Sequence, residues 1–142
     1  MLAEGIQGRG APSAAKRYSN VTFIWSHGGG TAPYITSRLG AAVGPDGKPN
    51  ANLAALQKFY YDTAQAFNPY TLATFTRVVP NAHILFGTDY PFAQASTVAK
   101  GLADYSFTPA QLRAIERDNA LALFPADAGL HRWSPASAGS DR

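Results

Sequence analysis

His27 and Asp89 are the residues of this chain whose settings point to chemistry. His27 ends an apolar run, Val21-Thr22-Phe23-Ile24-Trp25-Ser26, and leads into Gly28-Gly29-Gly30. Asp89 follows a second run, Ile84-Leu85-Phe86, and Pro91 stops that strand from continuing. An imidazole and a carboxylate delivered by two strand ends can share general acid and base work or contribute to a metal site. Each also has a plainer reading. His27 can be a hydrogen-bonded structural histidine, and Asp89 a turn residue ahead of proline. The three glycines tip His27 towards function, because they allow a backbone or ligand to approach closely. The same glycines could cradle an anion, but the lysine of a phosphate-binding loop and the spacing of a dinucleotide fingerprint are missing. A third run, Phe59-Tyr60-Tyr61, ends in Asp62-Thr63, and backbone bonding is the expected role of Asp62.

The elements that must position these groups alternate in type. Val21–Ser26 reads as a parallel strand buried on both faces. Thr31 and Pro33 suit the start of a helix carrying Tyr34, Ile35 and Arg38 and stopping near Gly40. A Gly- and Pro-rich loop covers 43–50, and a short helix follows over 52–58. Asn68-Pro69 opens a helix with Leu72, Phe75, Val78 and Val79 at helical spacing. Residues 95–103 form a further short helix. Thr108-Pro109-Ala110-Gln111 is a capping box for a helix with Leu112, Ile115, Asn119 and Leu123 on one stripe. Three βα units of this kind predict an α/β fold with a parallel sheet and covering helices. Three units are less than half of an eight-unit barrel, whose catalytic groups come from the loops after the strands. The expectation is therefore the C-terminal part of a barrel of about 250 residues or more, with both sheet edges exposed. Residues 1–13 read as an irregular segment, 14–125 as the partial barrel, and 126–142 as a tail in which Trp133 could dock.

Composition sets limits on partners. With 46% hydrophobic residues the chain can bury a core, and its formal charge of +3 comes from scattered Lys and Arg. No basic run exceeds the pair Lys16-Arg17, so no nucleic-acid partner is expected. The chain has no cysteine, which excludes disulfides and thiolate metal sites. The apolar runs are too short for a membrane span, and the first residues lack the pattern of a signal peptide. A cytoplasmic location is the expectation.

Four stretches in one order carry a resemblance. Phe23-Ile24-Trp25-Ser26-His27-Gly28-Gly29-Gly30, Phe59-Tyr60-Tyr61-Asp62-Thr63-Ala64, 84–92 and Asp118-Asn119-Ala120-Leu121-Ala122-Leu123-Phe124 together resemble the amidohydrolase-related family. The branch is that of the aminocarboxymuconate semialdehyde and 6-methylsalicylate decarboxylases, and the match runs from about Ala14 to Pro125. The resemblance implies strands six to eight of a metal-dependent (β/α)8 barrel. It implies that His27 ends the sixth strand beside the metal as a base or water-orienting group. It implies that Asp89 ends the eighth strand as a metal ligand or proton shuttle, and that Arg38 reaches the substrate carboxylate in a neighbouring subunit. The family's cofactor is a divalent metal, Zn2+ first and Mn2+ second, its substrates are small carboxylic acids, and its full-length members form homodimers.

The family's remaining ligands, a His-x-His on the first strand and a histidine on the fifth, have no counterpart here. Besides His27 the chain has only His83, before the third strand, and His131. The expected function is part of a metal-dependent decarboxylase of aromatic or related acids. Hydrolysis by the same family, or an inactive product that only binds a partner, are the alternatives.

Overall fold

The computed structural model describes residues 17–125 except Ser19. The irregular segment expected over 1–13, and the tail over 126–142 with His131 and Trp133, lie outside the described residues. Three short strands, β1 (Ile24–Trp25), β2 (Tyr60–Asp62) and β3 (Ile84–Leu85), make one sheet in the order β1-β2-β3. Both pairings are parallel, with Ile24 opposite Tyr60 and Tyr61 opposite Ile84. Helices α1 (Ala51–Leu56), α2 (Pro69–Val78) and α3 (Ala95–Ala103) alternate with the strands or follow them. The chain then runs through α4 (Pro109–Arg113), a π turn (Ala114–Asp118) and α5 (Asn119–Leu123).

The helix starts follow from their caps. Asn50, Asn68 and Thr108 each accept a backbone N–H three residues on, and Thr108 and Gln111 close the reciprocal capping box. The apolar stripe of α2 faces inward. Leu72, Phe75, Val78 and Val79 are buried there with Tyr61, Ile84, Val98, Leu102 and Ile115. Non-directional burial of this kind is the main driving force for the fold.

Three expectations need correction. Residues 31–40 do not form a regular helix. They form two single turns, closed by Ile35 N to Thr31 O and Leu39 N to Ile35 O, each 3.2 Å. Pro33 lacks an N–H, and Thr36 and Ser37 are weak helix formers, so no longer ladder propagates. Gly40, at φ +62°, ends the second turn with Ala41 N bonded to Thr36 O at 2.9 Å.

Strand β1 is not buried on both faces. Val21 and Ile24 are 47% and 46% exposed, while Phe23 and Trp25 lean on Phe59. It is the edge of a three-stranded sheet, and no neighbour among the described residues covers its outer side.

Nor does β3 expose its free edge. Phe86 N donates to Ile115 O at 3.0 Å, and Asn119 Nδ2 donates to Ile84 O at 2.8 Å and to Asn81 O at 2.7 Å. The π turn widens the helix and releases the Ile115 carbonyl for this contact.

Candidate active site

The site stands at the C-terminal ends of the three strands. β1 and β3 are separated by β2, a gap of roughly 9–10 Å between their axes. The groups at their ends nevertheless meet, because the loops curl inward over the end of β2. His27 Nε2 lies 3.2 Å from Asp89 Oδ2, with side chains 42% and 29% exposed. Both ring and carboxylate are thus open to solvent on one side and paired on the other. The sequence-predicted pair is therefore brought together.

Asp62 and Thr63 tie the loops to β2. Asp62 Oδ1 accepts from His27 N at 2.8 Å and Ala64 N at 3.0 Å, the backbone role expected from the sequence. Thr63 is fully buried, and its Oγ1 both donates to Gly87 O and accepts from Gly87 N, each at 3.0 Å. Gly87 leaves room for this arrangement. A Cβ there would stand 2.8 Å from the Asp62 Cβ. The glycines after His27 serve the same end. A Cβ on Gly29 would meet the Tyr61 ring at 2.7 Å, so what approaches closely here is the protein's own core.

Among the described residues, three that are not glycine have positive φ: His27 at 55°, Gln65 at 54° and Asp89 at 60°. Each follows a different strand. Backbone of this kind costs of order 1–3 kcal/mol per residue and persists where its surroundings over-determine it. The three are also joined through their side chains, since Gln65 Nε2 donates to Asp89 Oδ2 at 3.4 Å. Gln65 was not legible as a site residue. Its only sequence signal is its position just after the end of β2.

Arg38 is placed otherwise. It is exposed on the turns after the glycines, and among the described residues no hydrogen bond or ion pair links it to His27 or Asp89. Tyr90 and Phe92, beyond Asp89, are 73% and 82% exposed, so neither packs in the core.

A catalytic zinc site takes three protein ligands and a water. Among the described residues no group of three His, Cys, Asp or Glu side chains is placed to hold a metal ion. His27 and Asp89 offer two donors and do not constitute a metal centre by themselves. Also among the described residues, no helix is long and apolar enough to cross a membrane.

Comparison with known proteins gives the chain its relatives. The 6-methylsalicylic acid decarboxylase of Aspergillus aculeatus is 32% identical over 124 residues, which cover 78% of this chain and 37% of that protein. The enzyme of the same name from Penicillium expansum is 32% identical over 122 residues, covering 80% of this chain and 37% of it. The chain thus spans little more than a third of the length of these relatives.

Among solved structures, the 2,6-dihydroxybenzoate decarboxylase from Rhizobium superposes with a TM-score of 0.66 at 23% identity, over 82% of this chain and 38% of that one. A dihydroxybenzoic acid decarboxylase from Polaromonas, solved with bound manganese and 2-nitroresorcinol, gives 0.67 at 21% identity, over 87% and 40%. These likenesses establish the fold. The family model described as amidohydrolase matches residues 11–126, well over half of the sequence, and the chain belongs to the amidohydrolase family.

Proposed function

We propose that this chain is the strand six-to-eight portion of an amidohydrolase-family decarboxylase acting on hydroxylated aromatic carboxylic acids. The observation that carries the reading is the 3.2 Å pairing of His27 with Asp89 at the ends of two parallel strands. The named relatives act on acids of this class, 6-methylsalicylic acid among them. Asp89 is the residue of this chain assigned to a divalent metal, Zn2+ or Mn2+. The described residues do not complete its ligand set, and the steps below use only protein groups and water.

Decarboxylation replaces the ring carboxylate by hydrogen. A proton is delivered to the ring carbon bearing the carboxylate, the bond to the carboxyl carbon breaks, and its electron pair restores the aromatic ring as CO2 leaves. The proton comes from Asp89 or from a water oriented by His27, and one proton is consumed per turnover. Partial exposure of both side chains leaves them within reach of substrate and solvent. Arg38 is assigned to the substrate carboxylate of a neighbouring subunit, in a homodimer and in the cytoplasm.

The test is CO2 release from 6-methylsalicylate and 2,6-dihydroxybenzoate with added Mn2+ or Zn2+. His27→Ala and Asp89→Asn should each lower the rate about 10²–10⁴-fold, the usual contribution of a positioned acid or base. A wild-type rate that survives both substitutions would remove the pair from the chemistry.

A further inference from the structure

Where the backbone ladders of β2 end, its side chains take over. The ladder to β1 has Tyr60 N bonded to Phe23 O at 3.0 Å and pairs Trp25 with Tyr61. Parallel pairing advances in regular steps, so its next rung would join His27 N to the main-chain carbonyl of Asp62. His27 N instead meets the Asp62 carboxylate, 2.8 Å from Oδ1, and the same oxygen accepts from Ala64 N at 3.0 Å. The ladder to β3 ends with Thr63 N on Leu85 O at 3.0 Å. Phe86 N then turns away to Ile115, and the Thr63 hydroxyl holds Gly87 by both its N and its O.

The exchange at His27 has a geometric consequence. A main-chain rung would prolong β1 in extended form. The Asp62 side chain lies on the face of β2 opposite buried Tyr61, and a bond to it draws the chain over that face. His27 sits there at φ +55°, with its ring 3.2 Å from Asp89. That backbone is unfavourable for histidine and needs a firm partner. A carboxylate accepting from backbone N–H groups is one of the stronger hydrogen-bonding arrangements. Gly87 packs on the other side of Asp62, where a Cβ would stand 2.8 Å from the Asp62 Cβ. The side chain of Asp62 therefore sits between the loop that carries His27 and the loop that carries Asp89.

We infer that Asp62 is the positioning residue of the His27–Asp89 pair: its carboxylate replaces a rung of the sheet, turns His27 inward and so sets the separation of imidazole and Asp89. Thr63 anchors the Asp89 loop from the same strand end. This rests on the proposed reading only in taking the pair as the working groups, and it adds what fixes their geometry.

The test reads the contact directly, by long-range nitrogen–proton NMR of the imidazole nitrogens of the full 142-residue chain at constant pH. The His27 signals are assigned by their loss in His27→Gln. Asp89→Gly suits the left-handed backbone there. In an otherwise wild-type chain it should move the His27 Nε2 signal, because it removes a carboxylate 3.2 Å away. In an Asp62→Ala background the same change should leave that signal in place, the pair having come apart. An Asp62→Asn background should restore the wild-type response, since an amide oxygen can accept the same two bonds. Val98→Ala truncates a fully buried side chain that takes no part in these contacts. It should lower the melting temperature and keep the full response. Should Asp62→Ala fail to fold, Asp62→Ser takes its place with the same expected loss, because its shorter side chain does not span to His27 N.

A response that survives removal of the Asp62 carboxylate in full overturns the inference. So does a folded Asp62→Asn chain that has lost the response, or an equal loss in Val98→Ala, which would reduce Asp62 to a general stabiliser. A wild type whose His27 signal ignores Asp89→Gly overturns both the inference and the pairing that carries the functional reading. The spectra require no turnover, so a wild type that releases no CO2 counts against the functional reading alone and leaves the positioning role of Asp62 standing.

Discussion

The Tyr61 ring lies under the candidate site and is touched from several sides. Phe75 meets it edge-on at 5.9 Å, Trp25 tilts against it at 6.4 Å, and Gly29 lies against its face. Its hydroxyl donates to Leu56 O at 2.8 Å. Burial pushes the phenol well above its ordinary pKa of 10.0. In the unfolded chain the phenol ionises near that ordinary value, whereas the folded chain holds the proton to higher pH. Below pH 10 both states are protonated and the full stability is present. Above it the unfolded state sheds a proton that the folded state keeps, so stability falls by about 1.4 kcal/mol per pH unit. Tyr61→Phe should lose about 1 kcal/mol at pH 8, where the bond to Leu56 is missing. The variant should then decline less steeply than wild type between pH 10 and 11. Urea unfolding across pH 8–11 checks this, and parallel declines in the two proteins would discard the account.

At the scale of elements, the C-terminal helix does more than cover the sheet. Asn119 lies on the stripe that also carries Ile115, and by spacing alone it reads as one more inward position. Its amide instead serves two carbonyls of the segment leading into and forming β3, and the π turn one residue before it supplies a third contact to Phe86. Asn119→Ala leaves Asn81 O and Ile84 O without that donor in a buried setting. At about 1–3 kcal/mol for each of the two unsatisfied groups, the loss should be roughly 2–6 kcal/mol in chemical denaturation. Asn119→Ala should also increase self-association, because it frees part of a strand edge. A loss below about 0.5 kcal/mol, the size of an ordinary surface change, would show that water replaces the amide.

These elements also mark what was legible beforehand. The three strand ends, with His27 and Asp89 on two of them, and the caps at Asn68 and Thr108 follow from local pattern: apolar runs punctuated by glycine and proline, and side-chain caps at fixed offsets. The π turn and the left-handed backbone at Gln65 do not. They arise from tertiary contacts, in which a carbonyl or an amide finds its partner tens of residues away. A one-dimensional pattern carries no trace of that.

For the whole molecule the two edges of the sheet differ. Among the described residues, β3 is closed by the C-terminal helix, while β1 presents half-exposed Ile24 and Val21 stands half-exposed just before it. The candidate site spans both strands, and among the described residues only its β3 side is braced by the C-terminal helix. The same asymmetry governs metal affinity. His27 and Asp89 supply two donors, each partly exposed to solvent, against the three protein ligands of a catalytic zinc site. Exposed donors gain little by replacing a metal's water, so binding to this chain should be weak. A dissociation constant of about 1 mM would yield only about 0.4 kcal/mol of stabilisation at 1 mM free metal, from the mass-action relation between binding and folding. That corresponds to a rise of roughly one to three degrees in melting temperature. Titration with Mn2+ and Zn2+, followed by calorimetry and thermal melts, should show this small effect in wild type. Asp89→Asn should abolish it, and addition of a chelator should leave the wild-type fold intact. Tight, stoichiometric binding at micromolar metal would contradict the two-donor account and require a third ligand beyond the described residues.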